Sequence, residues 1–486
     1  MLPNVTAASA VRNVCITAAG RVLGHICGFR RHASNYSQMF RKRLNAEQVG
    51  RKFEVSDDEL KHVTRRMSDT MDLGLRRSGR PAGGSVSIKC WNTRVPFPTP
   101  STAIEPVARQ FLSVELSHGH RFSTQLTTLL GANDVSIKSR EHPLTASALI
   151  TGRVADLFDC VAGALAEFAQ EFGVRQAGLP VAFTFGFPVG STGPLGGSAN
   201  LHRWTKEFDL VDGVSRDVAA EWRMAAARAD VSVASVAVLN DACAAMMHSV
   251  AEQPDTRAAV VVDDGCNCCY VSEFGRTVIN TEWGAFGEDG ALDHLLTEYD
   301  RQLDARSRNP GQQIYEKMTS GMYMAELVRE MVLAMASNRA LFEGVTTKAM
   351  TTEYALKAKH LWLVESDERL SYSRTRTVLT DVLDVTNPSH MDCELFRYAC
   401  GCVTTRSANL VAAGLSSVLK RTGLPVTVAV SGSAFETHST YALAVGHKAR
   451  QLTLQQKPFT LRTVEPNVKS AWIFASLLAT IAANPS

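Results

Sequence analysis

The stretch SVAVLNDACAAMMHS, residues 235–249, decides the fold. Val233, Val236, Val238 and Leu239 make an apolar run that stops at Asn240-Asp241. A strand ending there delivers a carboxylate to a sheet edge, where open α/β sheets hold ligands. Asp241 is therefore the candidate general base. Asn-Asp before a helix also serves as a cap, and the residues alone leave both uses open. On either side lie LPVAFTFGFPVGSTGPLGG (179–197), LHRWTKEFD (201–209), AAVVVDDGCNCCYV (258–271) and INTEWGAFGEDG (279–290). They supply glycine turns, the pair Thr205-Lys206 and several carboxylates and carboxamides, groups that grip a polyhydroxylated small molecule.

Outward from this stretch, residues 151–172 place Val154, Leu157, Phe158, Val161, Leu165 and Phe168 on one helical face, and Gly173 closes the helix. The strand VAFTFGFP follows, then a helix over roughly 215–229 and the strand to Asn240. This alternation predicts an α/β fold. Residues 55–77 read as an amphipathic helix with Leu60, Val63, Met67 and Met71 at helical spacing. Residues 79–103, rich in Gly, Pro, Ser and Thr, read as an extended connector, and 110–130 as a hairpin turning at SHGH. The pattern resets near 257 with a second sheet. Helical segments dominate 291–420, and the strand LPVTVAVSGSAF and the helix SAWIFASLLATIAA close the fold.

At 486 residues the chain predicts two unequal lobes, 47–250 and 251–486, behind a leader of residues 1–46. The content of 45% hydrophobic and 20% charged residues is ordinary for a globular protein, and a net charge of +3 gives no support for a nucleic-acid partner. The leader is unlike the rest. Arg12, Arg21, Arg30, Arg31, Arg41, Lys42 and Arg43 all precede the first acid, Glu47. An even spread of the 48 acids would put about four or five there, so the leader reads as a mitochondrial targeting segment, with a cytosolic protein as the other reading. No later stretch reaches the ~18 uncharged apolar residues of a transmembrane helix. The 11 cysteines suit reduced thiols. Cys266, Cys268, Cys269 and Cys393, Cys400, Cys402 lack paired zinc spacing, and no metal site is expected.

FTFGFP, WTKEF, VLNDACAAMM, the turn containing Asn267, NTEWGAFGEDG, NPGQQIYEKMTSGMYMAELVRE, RSANLVAA and VSGSAFETH, in this order, resemble the eukaryotic hexokinases from about Val55 to the end. The resemblance implies an actin-like fold of two lobes, with a hexose such as glucose in the cleft and ATP with Mg²⁺ on the larger lobe. Asp241 then accepts the proton of the 6-hydroxyl, while Asn240, Thr205, Lys206, Asn267, Glu282 and Glu316 hold the sugar. Gly186 stands in place of the serine of the Ser-Phe-Pro motif.

On the ATP side the resemblance implies Gly119, Asp264, Gly265, Gly432 and Ser433, and here the chain departs from the pattern. The first phosphate loop reads VELSHGHRF (114–122), with Ser117 and His118 where the family has glycines. Side chains at such positions obstruct the approach of backbone amides to phosphate. The second loop reads Asp263-Asp264-Gly265-Cys266-Asn267, Ser431 replaces an aspartate, and EPNVKS (465–470) replaces a glycine-rich turn. Two carboxylates beside a triphosphate repel it, by ~4 kcal/mol per unit charge pair at 4 Å and an effective dielectric of about 20. Three functions stay open: an ATP-dependent hexokinase, a hexose-binding homologue acting as sensor or regulator, and a subunit of a mitochondrial assembly. The leader is the part that a fusion can test: residues 1–46 ahead of a fluorescent reporter should carry it to mitochondria, and a reporter left in the cytosol would remove that reading.

Overall fold

Two apolar runs, VAFTF and AAVVV, become the centres of two sheets in the computed structural model. It describes residues 29–77, 87–96, 110–116, 121–131, 134–144, 146, 148–192, 198–272, 277–368, 371–422, 426–453 and 458–464. Residues 1–28 of the leader, Gly119 with the turn expected there, the EPNVKS segment and the helix expected over 470–483 lie outside these.

The described chain begins with helices α1 (Phe29–Gly50) and α2 (Asp57–Arg77). Ser56 and Glu59 cap α2 reciprocally, because the Ser56 backbone N–H donates to Glu59 at 2.7 Å and the Glu59 N–H to Ser56 Oγ at 3.3 Å. Strand β1 (Trp91–Pro96) follows, which corrects the reading of 79–103 as a connector: six of those residues form the edge of the later sheet, pairing antiparallel with 277–280. Next come β2 (Gln110–Leu116), β3 (Arg121–Gly131) and β4 (Asp134–Pro143), with β3 antiparallel to β2 and β4 antiparallel to β3. The expected hairpin is there, with a third strand added.

The helix expected over 151–172 is α3 (Val154–Glu171), preceded by one separate turn. The Asp212 carboxylate accepts from the Val154 N–H at 2.7 Å and fixes its start, and Gly173 leaves the helix at φ +69°. Strand β5 (Leu179–Phe185) is buried along almost its whole length, as a central parallel strand should be. A small hairpin, β6 (Val189–Thr192) and β7 (Ser198–Leu201), leads to α4 (Val218–Arg228), β8 (Val233–Leu239) and α5 (Asp241–Glu252). The large lobe then supplies β9 (Thr256–Val262), β10 (Cys266–Val271), β11 (Thr277–Asn280), α6 (Glu298–Arg306), α7 (Ile314–Thr319), α8 (Gly321–Ser337), α9 (His390–Leu419), β12 (Val426–Ser431) and β13 (Phe459–Thr463).

The two sheets share one plan. One runs β4-β3-β2-β5-β8; in the other β11-β10-β9-β12-β13 repeats that order, with β1 added at its edge. In each, three antiparallel strands precede two parallel ones. The turn between β2 and β3 and the turn between β9 and β10 are therefore topological equivalents. No helix among the described residues is long and apolar enough to cross a membrane.

The linear division at 251 does not coincide with the two cores. Phe53, Leu60, Val63, Met67 and Met71 are buried together with β9, β10, α8 and α9, so the N-terminal helices belong to the large lobe. The small-lobe core gathers Phe158, Phe183, Phe185, Phe187, Trp204 and Trp222. Burying each such side chain contributes about 1.5–3 kcal/mol, which decides where α2 packs. Inside the large core, Arg406 on α9 donates to both carboxylate oxygens of Asp300 on α6, at 2.8 and 2.7 Å, and lies 4.6 Å from the Phe53 ring centroid. Arg406→Ala leaves Asp300 buried without its countercharge, so unfolding should become easier by about 3–5 kcal/mol. An unchanged midpoint in thermal or urea unfolding would refute that role for the pair.

Candidate functional site

Strand β8 sets the site by ending where its apolar run ends. Asn240 is the residue that caps α5, its Oδ1 accepting from the Ala242 N–H at 3.0 Å. Asp241 Oδ1 receives the same N–H at 2.8 Å, and its Oδ2 faces Lys206 Nζ at 3.4 Å. Capping is thus shared with Asn240, and one oxygen of Asp241 looks into the cleft. Lys206 sits at φ +57° and Glu207 at φ +63°, while across the cleft Glu282 and Gln313 stand at φ +54° and +53°. Left-handed backbone at a residue other than glycine costs on the order of 1 kcal/mol or more, and such residues gather where surrounding structure over-determines them. Salt-bridged Arg203 and Glu288, and the Tyr323 hydroxyl donating to Glu207 at 3.0 Å, tie the loop carrying Lys206 to the large lobe.

The large lobe presents its polar groups from the ends of β10 and β11. Asn267 Nδ2 lies 2.9 Å from Asn280 Oδ1, 3.1 Å from Asn240 Oδ1 and 3.3 Å from Glu282 Oε1. Asn280 donates to the same Glu282 oxygen at 2.7 Å. Glu316 comes from α7, which is fixed on α9 by Tyr315 donating to the Leu410 carbonyl and Ser407 to the Thr319 carbonyl, both at 2.7 Å. Its carboxylate accepts from the Cys266 N–H at 3.1 Å and from Gln313 Nε2 at 3.4 Å. Gly265 explains itself here: a Cβ would lie 2.3 Å from Lys206 Cε and 2.8 Å from Glu316 Oε2. Thr205 is buried beside Lys206.

Burial works against the charges of Lys206, Glu282 and Glu316. It pulls the Lys206 ammonium down, yet the charges of Asp241, Glu316 and Asp264 outweigh it and hold the pKa above the usual lysine value. Burial raises Glu316, with the Lys206 charge opposing, and pushes Glu282 up to about 7 against the hydrogen bond from Asn280. The sugar-side set expected from the sequence (Thr205, Lys206, Asn240, Asp241, Asn267, Glu282 and Glu316) therefore lies together. Sequence reasoning missed Asn280 and Gln313. Asn280 ends β11 as Asn240 follows β8, a carboxamide at a strand end, and that rule would have found it. Nothing local marked Gln313, because its place depends on a left-handed turn after Gly311.

On the far side of Asp241 a cavity of about 670 Å³ runs to the turn at Ser431–Ser433. Its wall carries the carboxylates of Glu115, Glu141, Asp241, Asp263 and Glu436 against the cations Lys206 and Arg121. Lys206 faces Asp241, and Arg121 lies 3.8 Å from Glu141. His248 adds no charge near neutrality, since burial pushes it down to about 4. Ser433 Oγ donates to Asp263 at 2.8 Å, and Gly432 N–H donates to Glu436 at 2.8 Å. Asp263, rather than the expected Asp264, lines this cavity, and Asp264 acts as a negative charge on Lys206. The turn reverses its direction between the two, with the Asp263 N–H donating to the Gly265 carbonyl at 2.9 Å. Gly119 lies outside the described residues. Among those that are described, the turn at 431–433 fits a nucleoside triphosphate poorly: the Gly432 amide and the Ser431 and Ser433 hydroxyls are given to the chain's own carboxylates, and Lys206 and Arg121 already face acids.

Residues 45–251 and 257–479 each match a family profile described as Hexokinase. A hexokinase of Schistosoma mansoni is 30% identical over 442 residues, covering 88% of this chain and 95% of that protein. Hexokinase HKDC1 of Homo sapiens is 32% identical over 418 residues, 82% of this chain but 44% of the relative, so the chain spans about half the length of that protein. The solved structure of Schistosoma mansoni hexokinase complexed with glucose superposes with a TM-score of 0.82 at 30% identity, over 90% of this chain and 99% of that one.

The raised Glu282 gives the site a pH signature. Its folded pKa of about 7 lies above the ordinary 4.5, so between those values the folded state binds more protons than the unfolded one. Stability then falls as pH rises through that window, and Glu316 adds in the same direction. Glu282→Gln should remove up to about 3 kcal/mol of the loss at pH above 7 and leave stability below pH ~4 unchanged. Parallel pH profiles of the two proteins in urea unfolding would contradict it.

Proposed function

Because the chain belongs to the hexokinase family, we propose that it binds a hexose of the glucose class in the cleft and presents the 6-hydroxyl to Asp241 as a phosphotransferase of low turnover. The observation that carries the reading is the Asn267 hub, where one carboxamide lies within 3.3 Å of oxygens of Asn240, Asn280 and Glu282. Vicinal hydroxyls each donate and accept, so they match acceptor carboxylates set beside mixed carboxamides. Glu282 and Glu316 accept, Asn240 and Asn267 do both, and Lys206 donates. The glucose in the Schistosoma mansoni structure, whose chain shares this fold, supports the same ligand class.

Asp241 takes the hydroxyl proton in this scheme. Its Oδ2 faces the cleft at the end of a rigid strand-to-helix junction, and Lys206 at 3.4 Å stabilises the charged carboxylate. The family uses ATP with Mg²⁺. The carboxylates of the donor cavity favour a second reading beside the first: a hexose-binding protein with a sensing or regulatory role and no turnover.

Calorimetry should show glucose binding, and Asn267→Ala should weaken it by at least about tenfold, since it removes a buried donor that lies against three acceptors. A coupled assay should show slow, hexose-dependent ADP release that Asp241→Ala abolishes. No heat with glucose sinks the proposal, and glucose binding without any ADP release leaves only the second reading.

A further inference from the structure

We infer that Glu436 and Asp263 are specificity-determining residues that close the donor half of the cleft by occupying, with their own carboxylates, the donors a nucleotide phosphate would need. The inference rests on the hexose-binding reading above and adds the residues that restrain turnover. It starts from the turn Ser431-Gly432-Ser433 at the end of β12. Gly432 stands at φ +100°, and a Cβ there would lie 2.4 Å from the Val262 carbonyl oxygen, so this backbone is seated directly against the end of β9. Such close seating presents its N–H and the flanking hydroxyls to the cavity that Asp241 also lines.

Three donors of the turn are already committed. One oxygen of Glu436 accepts from the Gly432 N–H at 2.8 Å and from Ser431 Oγ at 3.1 Å. Asp263 Oδ1 accepts from Ser433 Oγ at 2.8 Å. A carboxylate offers the same kind of acceptor oxygen as a phosphate, at similar distances and with the same sign of charge. An incoming phosphate therefore meets repulsion in place of hydrogen bonds, on a wall where Glu115 adds a further acid. Asp263 is held there by a second constraint, its carbonyl accepting from the Gly321 N–H at 2.6 Å at the start of α8. Glu436 is exposed, so its hold on the turn is one that solvent and salt weaken.

The test uses the full chain, with Mg-ATP and Mg-ADP as probes in calorimetry, in the wild type, Glu436→Gln, Asp263→Asn and the double variant. Glucose titration of each protein reports on the hexose reading alone. The affinity for glucose should be the same in wild type and Glu436→Gln, which also verifies that the variant folds. Nucleotide binding should strengthen by roughly three- to tenfold in Glu436→Gln and further in the double variant, and the gain should shrink at high salt. Unchanged nucleotide affinity overturns the inference while leaving the hexose reading intact. Weaker binding of Mg-ATP in the variants overturns it as well, because the carboxylates would then be holding the metal of the nucleotide.

Discussion

The Lys206 ammonium is the charge on which the cleft depends. It is buried at the end of a small-lobe loop, it faces Asp241 from the same lobe, and it lies against Glu316 and Gly265 of the other. Without a cation there, buried carboxylates would repel across a gap of low polarity, and at least one would take up a proton. With it, the Lys206 charge opposes the upward push that burial gives Glu316 and, more weakly, Glu282. One side chain thus joins the lobes and counters the effect of burial on the acids around it. Its left-handed backbone shows that the loop is shaped for this position rather than relaxed into it.

The two halves of the cleft use polar groups in opposite ways. On the side proposed for the sugar the Asn267 carboxamide lies 2.9 Å from that of Asn280 and 3.1 Å from that of Asn240, neutral groups that can exchange partners with a ligand of many hydroxyls. On the donor side the backbone and hydroxyl donors of the turn are bound to carboxylates. The cost of displacing a charge-assisted bond exceeds that of rearranging a carboxamide network. A neutral sugar and an anionic donor therefore face different barriers to entry within one cavity.

Much of this was legible in the sequence because it depends on local rules. The apolar run that stops at Asn240-Asp241 gave both strand and helix start, Gly173 gave a helix end, and the alternation from 110 to 130 gave a hairpin. What failed was non-local. Residues 91–96 looked like a connector because a lone edge strand, paired on one side only, needs little apolar pattern, and its partner lies some 180 residues later. Leu60, Val63, Met67 and Met71 were rightly placed on one helical face, but no periodicity says which lobe that face meets. In the site, carboxylates in named motifs were found, whereas Gln313 depends on a backbone angle and Glu436 on a turn folding back over four residues.

The order in which the cores close has a consequence for synthesis on the ribosome. The chain enters the large lobe, leaves it at 96 to build the small lobe, and returns at 256, so the small lobe is an insertion in a discontinuous partner. The contact of Thr64 with the Ala413 carbonyl spans 349 residues. At roughly 5–20 residues per second, the apolar face of α2 emerges tens of seconds before α9 exists to cover it. The small lobe can complete its core in that interval. The nascent large lobe cannot, which leaves the apolar face of residues 57–77 uncovered for most of synthesis.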